Sequence, residues 1–506
     1  MPAPTSHQPD LFKRGFTWGE VGGAAESWTS QWHRTEVAGA TLRHHPLAAF
    51  RSKVAPGVRL HCLGLICDVF DLGLDDDAVA QGLADALARS WTDFYRALKT
   101  TGGTYALFLE SDRFYVVLDA CGTVPVVHGH GALASHPRLI AEGNGLGKSE
   151  LATAWTADPA LQAGGHYLPG LLTPYDGVEV VMPNHRLDVR SGEMERFYPD
   201  TDFVVRDPDE IVARVAPALS GQLERLDRPL AIGLSGGMDS RLTLAASRPV
   251  QSRARYFTYY KPDVEILLRD VEVAGQLAAD LGLNHETLAI PEQGPPEMER
   301  DFALVTDGLR GPANLLSRFV ESFPEPSVHV RSNILETIRG FWLKNPANRK
   351  DAFDAATLHR LFRRSSPTEF IPVFADYMER TQFESAAFRG FHWADIFYWE
   401  HRMGAWLGPA IRGDREALDT YIIYNSRALL ELMMSRPLED RVSAQLVSLL
   451  MEELWPEVLD APFFSGSKFV HLPHPTRALV PEPDAAPGSN SSRWWARRGR
   501  RRGATP

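Results

Sequence analysis

Ala231-Ile-Gly-Leu-Ser-Gly-Gly-Met-Asp-Ser-Arg241 decides how this 506-residue chain is read. The apolar run from Pro229 to Leu234 has the length and composition of a buried strand, and Ser240 to Ala246 begins a helix. Between them lies Ser235-Gly-Gly-Met-Asp-Ser240. Backbone N–H groups at a helix N-terminus carry partial positive charge and point outward, which makes a ready anion site. Gly236 and Gly237 remove side chains, so a phosphate chain can approach the backbone closely. Ser235 and Ser240 add hydroxyl donors, and Asp239 is a candidate Mg²⁺ ligand. No lysine follows the glycines, as it would in a Walker loop. That absence fits cleavage between α- and β-phosphates, where a released pyrophosphate needs a cradle.

Outward from this loop, helices alternate with short buried strands. Ile211 to Leu223 is amphipathic, with Pro217 a candidate kink. Arg255 to Tyr260 is the next strand, and Leu267 to Leu281 is a helix that ends at Gly282. Such alternation predicts a doubly wound parallel sheet. Beyond about Ala355 the pattern is mainly helical, with segments at Ala394–Leu407, Leu418–Met434 and Arg441–Leu454. The first two hundred residues are instead strand-rich. Val58–Val69 is β-prone, and Thr104–Glu110 with Arg113–Asp119 reads as a hairpin around Ser111-Asp112. A helix is expected over Asp76–Leu98, and a short strand at Val126-Val127. The fold class expected is therefore α/β, an antiparallel β-rich sandwich followed by a parallel-sheet domain with a helical extension.

Hydrophobic residues make up 44% of the chain and charged residues 23%, as in a globular protein. The net charge of −11 argues against a general nucleic-acid binder. Three cysteines, Cys62, Cys67 and Cys121, lack CxxC spacing, so neither a disulfide framework nor a zinc site is expected. A cytoplasmic location follows as the expectation, with no signal peptide or spanning segment in view. Arg493 to Arg502 concentrates six arginines with Trp494 and Trp495 after a Pro- and Ser-rich linker. That tail is expected to be disordered, with an anionic surface or acidic protein as its candidate partner.

The motif Leu234-Ser-Gly-Gly-Met-Asp-Ser240 resembles the ATP-pyrophosphatase loop of asparagine synthetases and their relatives, the β-lactam synthetases and lasso-peptide cyclases. Asp119-Ala-Cys-Gly-Thr-Val-Pro125 is similar to a stretch of the class II glutamine amidotransferase fold. Leu172-Thr-Pro-Tyr-Asp-Gly177 through Arg196-Phe-Tyr-Pro199 resembles the passage between the two domains. The resemblance implies an amidotransferase-like domain over 1–205, a synthetase domain over 206–480, and a linker and tail over 481–506. It further implies ATP bound by Leu234, Ser235, Gly236, Gly237, Asp239, Ser240, Tyr259, Arg331 and Ser332. Mg²⁺ would be held by Asp239 and Glu336.

Three departures from that pattern bear on chemistry. A glutaminase of this type needs an N-terminal cysteine, whereas position 2 is Pro2 and the first cysteine is Cys62. Without the thiolate there is no acyl-enzyme route to ammonia. Asn333 stands where asparagine synthetases have Glu and β-lactam synthetases have Tyr, and an amide cannot act as a general base. Ser332 and Ile334 replace the glycines that flank this slot, so the loop is expected to be stiffer. On the acceptor side, Asp395–Trp406 resembles the family's helix beneath the acceptor. Tyr398, Glu400 and Arg402 are its polar candidates, with Tyr398 and Arg402 on one face. Lys468 matches the family's C-terminal active-site lysine. A cation there would stabilise the charge that develops as an amine attacks.

Together these features predict an ATP-dependent, amide-forming ligase that joins a small-molecule or peptide carboxylate to an amine without hydrolysing glutamine. Three alternatives stay open: a related enzyme that modifies tRNA, a non-catalytic ATP-binding relative, and an α/β-hydrolase. The last reads Gly233-Leu-Ser-Gly-Gly237 as a nucleophile elbow and His128-Gly-His-Gly131 as its oxyanion motif.

Overall fold

The computed structural model describes residues 10–20, 22–157, 167–309, 313–362, 368–461, 463–465 and 468–470, and of Ile266, residues 464–465 and residues 468–470 only the backbone. Two antiparallel six-stranded sheets form between Phe16 and Arg196. Their inner faces meet in one hydrophobic core, where Phe16 stacks edge-on against Phe108 at 5.1 Å and Trp18 lies 4.8 Å from Phe114. The helices Asp76–Arg89 and Trp91–Thr100 cover the outer face of one sheet, burying Val79, Leu83, Phe94 and Leu98 against Leu60, Tyr105 and Leu107. On the other outer face, Leu139 and Ile140 of helix Pro137–Asn144 meet Val127, Ala132 and Ala134. The result is a layered sandwich, helix on sheet on sheet on helix.

The second half carries a five-stranded, all-parallel sheet in the order His285–Ala289, Ala254–Tyr260, Leu230–Gly233, Val328–Val330, Asp419–Tyr421. Side-chain alternation explains its two covered faces. Ala231, Phe257 and Leu288 pack with Leu316 and Phe319 of helix Asn314–Ser322. Leu230, Ile232, Tyr256 and Val330 join a core with Leu219 and Leu242, from helices Pro208–Arg225 and Met238–Ala246. The expected mixed α/β class, with antiparallel sheets followed by a doubly wound parallel sheet, is what forms.

Several element boundaries differ from expectation. The helix expected over Asp76–Leu98 is two helices broken at Ser90, whose extended backbone ends the first while its hydroxyl accepts the Asp93 N–H at 3.1 Å to cap the second. The segment Leu418–Met434 is not one helix. Asp419–Tyr421 forms the edge strand of the parallel sheet, and only Arg427–Met434 is helical. A free edge on Val328–Val330 outweighs the local helical pattern. Arg441–Leu454 divides at Ala444, which takes a left-handed φ of 60° between Leu438–Val442 and Gln445–Leu454. Pro217 sits inside helix Pro208–Arg225, which continues through it. His128-Gly-His-Gly131 belongs to the hairpin of Val127–Gly129 and Ala132–Ala134 in the sandwich, so it serves no oxyanion role beside Ser235. Among the described residues no helix is long and apolar enough to cross a membrane. The linker and arginine tail lie outside the described residues.

Charged groups buried near the start of the described chain give a pH prediction. Glu416 follows helix Gly408–Asp414, and its Oε1 is buried with no hydrogen-bond partner. Burial pushes its pKa up from 4.5 to about 8, against the pull of Lys13 and Arg14. A carboxyl that is raised in the fold adds stability below its unfolded pKa and loses it as pH rises through the folded one. Glu416→Gln should therefore stabilise the protein at pH 9, on the order of 2 kcal/mol, with the gain vanishing by pH 4.5. Denaturant midpoints at the two pH values check this, and equal gains at both would reject it.

Candidate active site

The parallel sheet places two loops together. Leu230–Gly233 and Val328–Val330 are adjacent, and the chain leaves the first toward Ala254–Tyr260 on one side and the second toward Asp419–Tyr421 on the other. At such a switch point the loops beyond the strand C-termini part and open a crevice. A cleft of about 270 Å³ lies there. It is lined by Leu234, Ser235, Asp239, Ser240, Tyr259, Arg331, Ser332, Asn333 and Glu336, together with Phe257, Thr258, Asp270 and His329. Residues spread over a hundred positions thus meet in one place.

The loop itself is held by its own hydroxyls. Ser235 Oγ and Ser240 Oγ are 2.8 Å apart, the Ser240 hydroxyl accepts the Ser235 N–H at 3.2 Å, and Ser235 Oγ accepts the Gly237 N–H at 3.1 Å. A Cβ on Gly237 would stand 3.2 Å from Ser235 Oγ, so the tight turn leaves little room for a side chain. Helix Met238–Ala246 starts at Gly237 without any side-chain cap, and its first-turn amides face the cleft end of the sheet. The Gly236 N–H already donates to a carboxylate, Asp270 Oδ1, at 3.0 Å. The serine hydroxyl has Ser240 as its partner rather than a histidine. His329, buried between Phe257 and Phe319, stays neutral because burial holds its pKa well below the usual value. Among the described residues no histidine is hydrogen-bonded to Ser235 Oγ, so the Ser–His pair that the elbow reading needs is not assembled.

Asp239 and Glu336 come together from the first turns of helices Met238–Ala246 and Leu335–Ile338. Burial raises the Asp239 pKa, the facing Glu336 raises it further, and Arg339 and Lys344 oppose the rise. Two facing carboxylates supply hard oxygen donors of the kind that a divalent cation takes. Two carboxylates, with phosphate oxygens and water supplying the rest, suit Mg²⁺. No group of three or more His, Cys, Asp or Glu able to hold a metal occurs among the described residues. Arg339 Nη2 lies 3.0 Å from Asp239 Oδ1. Sequence reasoning missed Arg339, Lys344 and Asp270. Only Arg339 carried a signal, standing three residues beyond Glu336 in a short helix.

Asn333 is tied down. Arg331 Nε donates to its Oδ1 at 2.8 Å, and Arg331 also pairs with Asp414. The amide oxygen being taken, the Asn333 NH₂ is the end presented as a donor. Ile334, at φ 84° and ψ −31°, is fully buried in a conformation that β-branched residues rarely adopt. The loop keeps a glycine-like turn without the glycine, at a cost of about 1–3 kcal/mol.

Tyr398 approaches the same carboxylates from another element, with the Arg402 guanidinium over its ring at 5.8 Å. Residues Tyr398–Leu407 form a π-helix after Trp393–Phe397, a winding often found at functional sites. Tyr398 is buried beside Phe341 and Trp342, each 5.1 Å away. Burial raises its pKa, Glu336 adds to the rise, and Arg402 opposes it. Arg402 donates to Tyr167 Oη at 3.2 Å and stacks on Trp406 at 4.5 Å. Glu400 requires a correction. It points away from the cleft and is wholly buried, with Oε2 accepting from Arg196 at 2.8 Å and Oε1 from Asn184 at 3.2 Å. It is therefore a structural anion. Lys468 begins a short strand, Lys468–Val470, paired with Phe463–Ser465, and its side chain lies outside the described residues.

No family model matches the chain. No curated protein matches it. Similar solved structures include an NMN synthetase from Francisella tularensis, 15% identical over 39% of this chain and 94% of that one, with a TM-score of 0.21. A glutamine-dependent NAD⁺ synthetase from Acinetobacter baumannii is 17% identical over 38% of this chain and 34% of its own, with a TM-score of 0.17. An NH₃-dependent NAD synthetase from Campylobacter jejuni is 15% identical over 35% of this chain and 94% of that one, at 0.18. At these scores the likeness carries no argument about the reaction of this chain.

Proposed function

We propose that this chain is an ATP-dependent carbon–nitrogen ligase of the asparagine-synthetase type that adenylates a carboxylate and passes it to an amine. The carrying observation is that Asp239 and Glu336 face one another beside a glycine-rich, lysine-free loop at the sheet's switch point. A carboxylate oxygen of the substrate attacks the α-phosphorus of ATP. The bond to the β-bridging oxygen breaks, and its electron pair leaves with pyrophosphate. The amine then attacks the acyl carbon, AMP departs with the C–O bond pair, and the amine's surplus proton goes to solvent or to the leaving phosphate.

In this reading Tyr259 and Arg331 border the nucleotide, and the uncapped first-turn amides of helix Met238–Ala246 meet its phosphates. Bound Mg²⁺ would neutralise phosphate charge between Asp239 and Glu336. Asn333, fixed by Arg331, donates to an acceptor oxygen and takes no proton. The sandwich is proposed as a scaffold that supplies no ammonia, which fits its buried cysteines. Burial pushes the Cys62 thiol up to about 12 and Cys67 up to about 11, and raises Cys121 as well, the opposite of an activated nucleophile.

The test is product identity. With Mg-ATP and a pool of small-molecule and peptide carboxylates, each with ammonia or an amine, AMP and pyrophosphate should form in equal amounts. ADP and phosphate as the products would overturn the reading.

A further inference from the structure

If the cleft takes Mg-ATP, as proposed above, one divalent ion only cancels Asp239 and Glu336. Nothing in Ser235-Gly-Gly-Met-Asp-Ser240 then balances the pyrophosphate, since that loop has no lysine or arginine. Arg331 is committed to Asp414 and Asn333. Beside the carboxylate pair stand two cations that the nucleotide reading does not use. We propose that Arg339 and Lys344 form the cationic wall of the pyrophosphate subsite, taking the place of a Walker lysine.

The geometry of Arg339 fits that task. Its Nη2 reaches Asp239 Oδ1 at 3.0 Å and its Nη1 reaches Met238 Sδ at 3.5 Å, so the guanidinium lies against the first turn of helix Met238–Ala246. That turn supplies the amides that would meet phosphate oxygens. Arg339 Nε is buried without a hydrogen-bond partner. The guanidinium thus has one strong anionic partner, and a metal ion would take that partner away. A phosphate oxygen is the planar fork's natural replacement. Lys344 lies five residues on, and its backbone N–H donates to the Gly340 carbonyl at 3.1 Å. Its ammonium is near enough to Asp239 and Glu336 that both carboxylates favour its charge, while burial and Arg339 disfavour it. The exposed Lys344 and the half-buried Arg339 repel one another, and a polyanion that reaches both would relieve that repulsion. In the free protein Arg339 holds the place of the metal on Asp239. With Mg-ATP bound it turns to the β- and γ-phosphates, and it remains with pyrophosphate when the α–β bond breaks.

Three probes separate this role from a structural one: pyrophosphate with Mg²⁺ and AMP, both by calorimetry, and Mn²⁺ alone, by loss of its free-ion resonance signal. Arg339→Met and Lys344→Met should each weaken pyrophosphate roughly tenfold, the pair of changes more, with AMP affinity unchanged within about twofold. Arg339→Met should leave Mn²⁺ binding unchanged or tighter, because a competing cation has gone from Asp239. Arg339→Lys should recover most of the lost pyrophosphate affinity. Pyrophosphate binding that is unchanged in both methionine variants would overturn the proposal, and so would parallel loss of Mn²⁺ and AMP binding in Arg339→Met. Failure of the unaltered protein to bind Mg-ATP at all would instead remove the nucleotide reading beneath it.

Discussion

Glu400→Ala should lower the unfolding free energy by about 3–5 kcal/mol, because it strands a buried arginine. Arg196 and Glu400 meet across the boundary between the sandwich and the parallel-sheet half, with side chains 6% and 0% exposed. Arg196 Nη2 also donates to the Thr381 carbonyl at 2.9 Å, and Asn184 donates to Glu400 at 3.2 Å, so the charge has nowhere else to go. The neighbours of Glu400 on the π-helix are fastened to the same sandwich. Trp399 Nε1 donates to the Ala120 carbonyl at 2.6 Å, and His401 Nε2 accepts the Gly170 N–H at 3.0 Å. Removing both charges, as Arg196→Met with Glu400→Gln, should recover much of the loss, since no unpaired charge remains. Equilibrium denaturation of the single and double variants checks this. A single-variant loss below about 1 kcal/mol would mean that water reaches the pair.

Asp239→Asn should cut ATP-dependent turnover by roughly a hundredfold or more, as losing one electrostatic partner at a transition state costs about 3 kcal/mol. It should also remove the dependence of ATP affinity on Mg²⁺. The amide keeps the shape and some hydrogen bonding but loses the negative charge that Glu336 and Arg339 now respond to. A variant with near-normal turnover would take Asp239 out of the metal site. Turnover lost with Mg²⁺ dependence retained would assign the residue to holding the loop.

Much of the site was legible in one dimension because the loop is local. Leu234 to Ser240 carries strand, turn and helix start within a few residues, and the geometry of such a turn needs nothing from elsewhere. Glu336 could be paired with Asp239 only through the resemblance, yet the two carboxylates do converge. Asp270 and Lys344 could not be read so. Each is an unremarkable charge in its own segment, and each matters only because the fold brings it to the loop. Glu400 misled for the converse reason. Its spacing on a helix could not reveal that Arg196, some two hundred positions earlier, claims both of its oxygens.

The sequence by itself determined the alternation that winds the parallel sheet, the hairpin-rich first half, and the phosphate-type loop. These follow from periodicity, turn chemistry and steric freedom over a few neighbouring residues. Tertiary structure alone decided that Asp419–Tyr421 is a strand, because hydrogen bonds to Val328–Val330 repay what the local pattern would spend on a helix. It also decided the turn at Ile334 and the approach of Tyr398 to the carboxylates. Those depend on burial and on contacts supplied by distant segments, which no window along the chain contains.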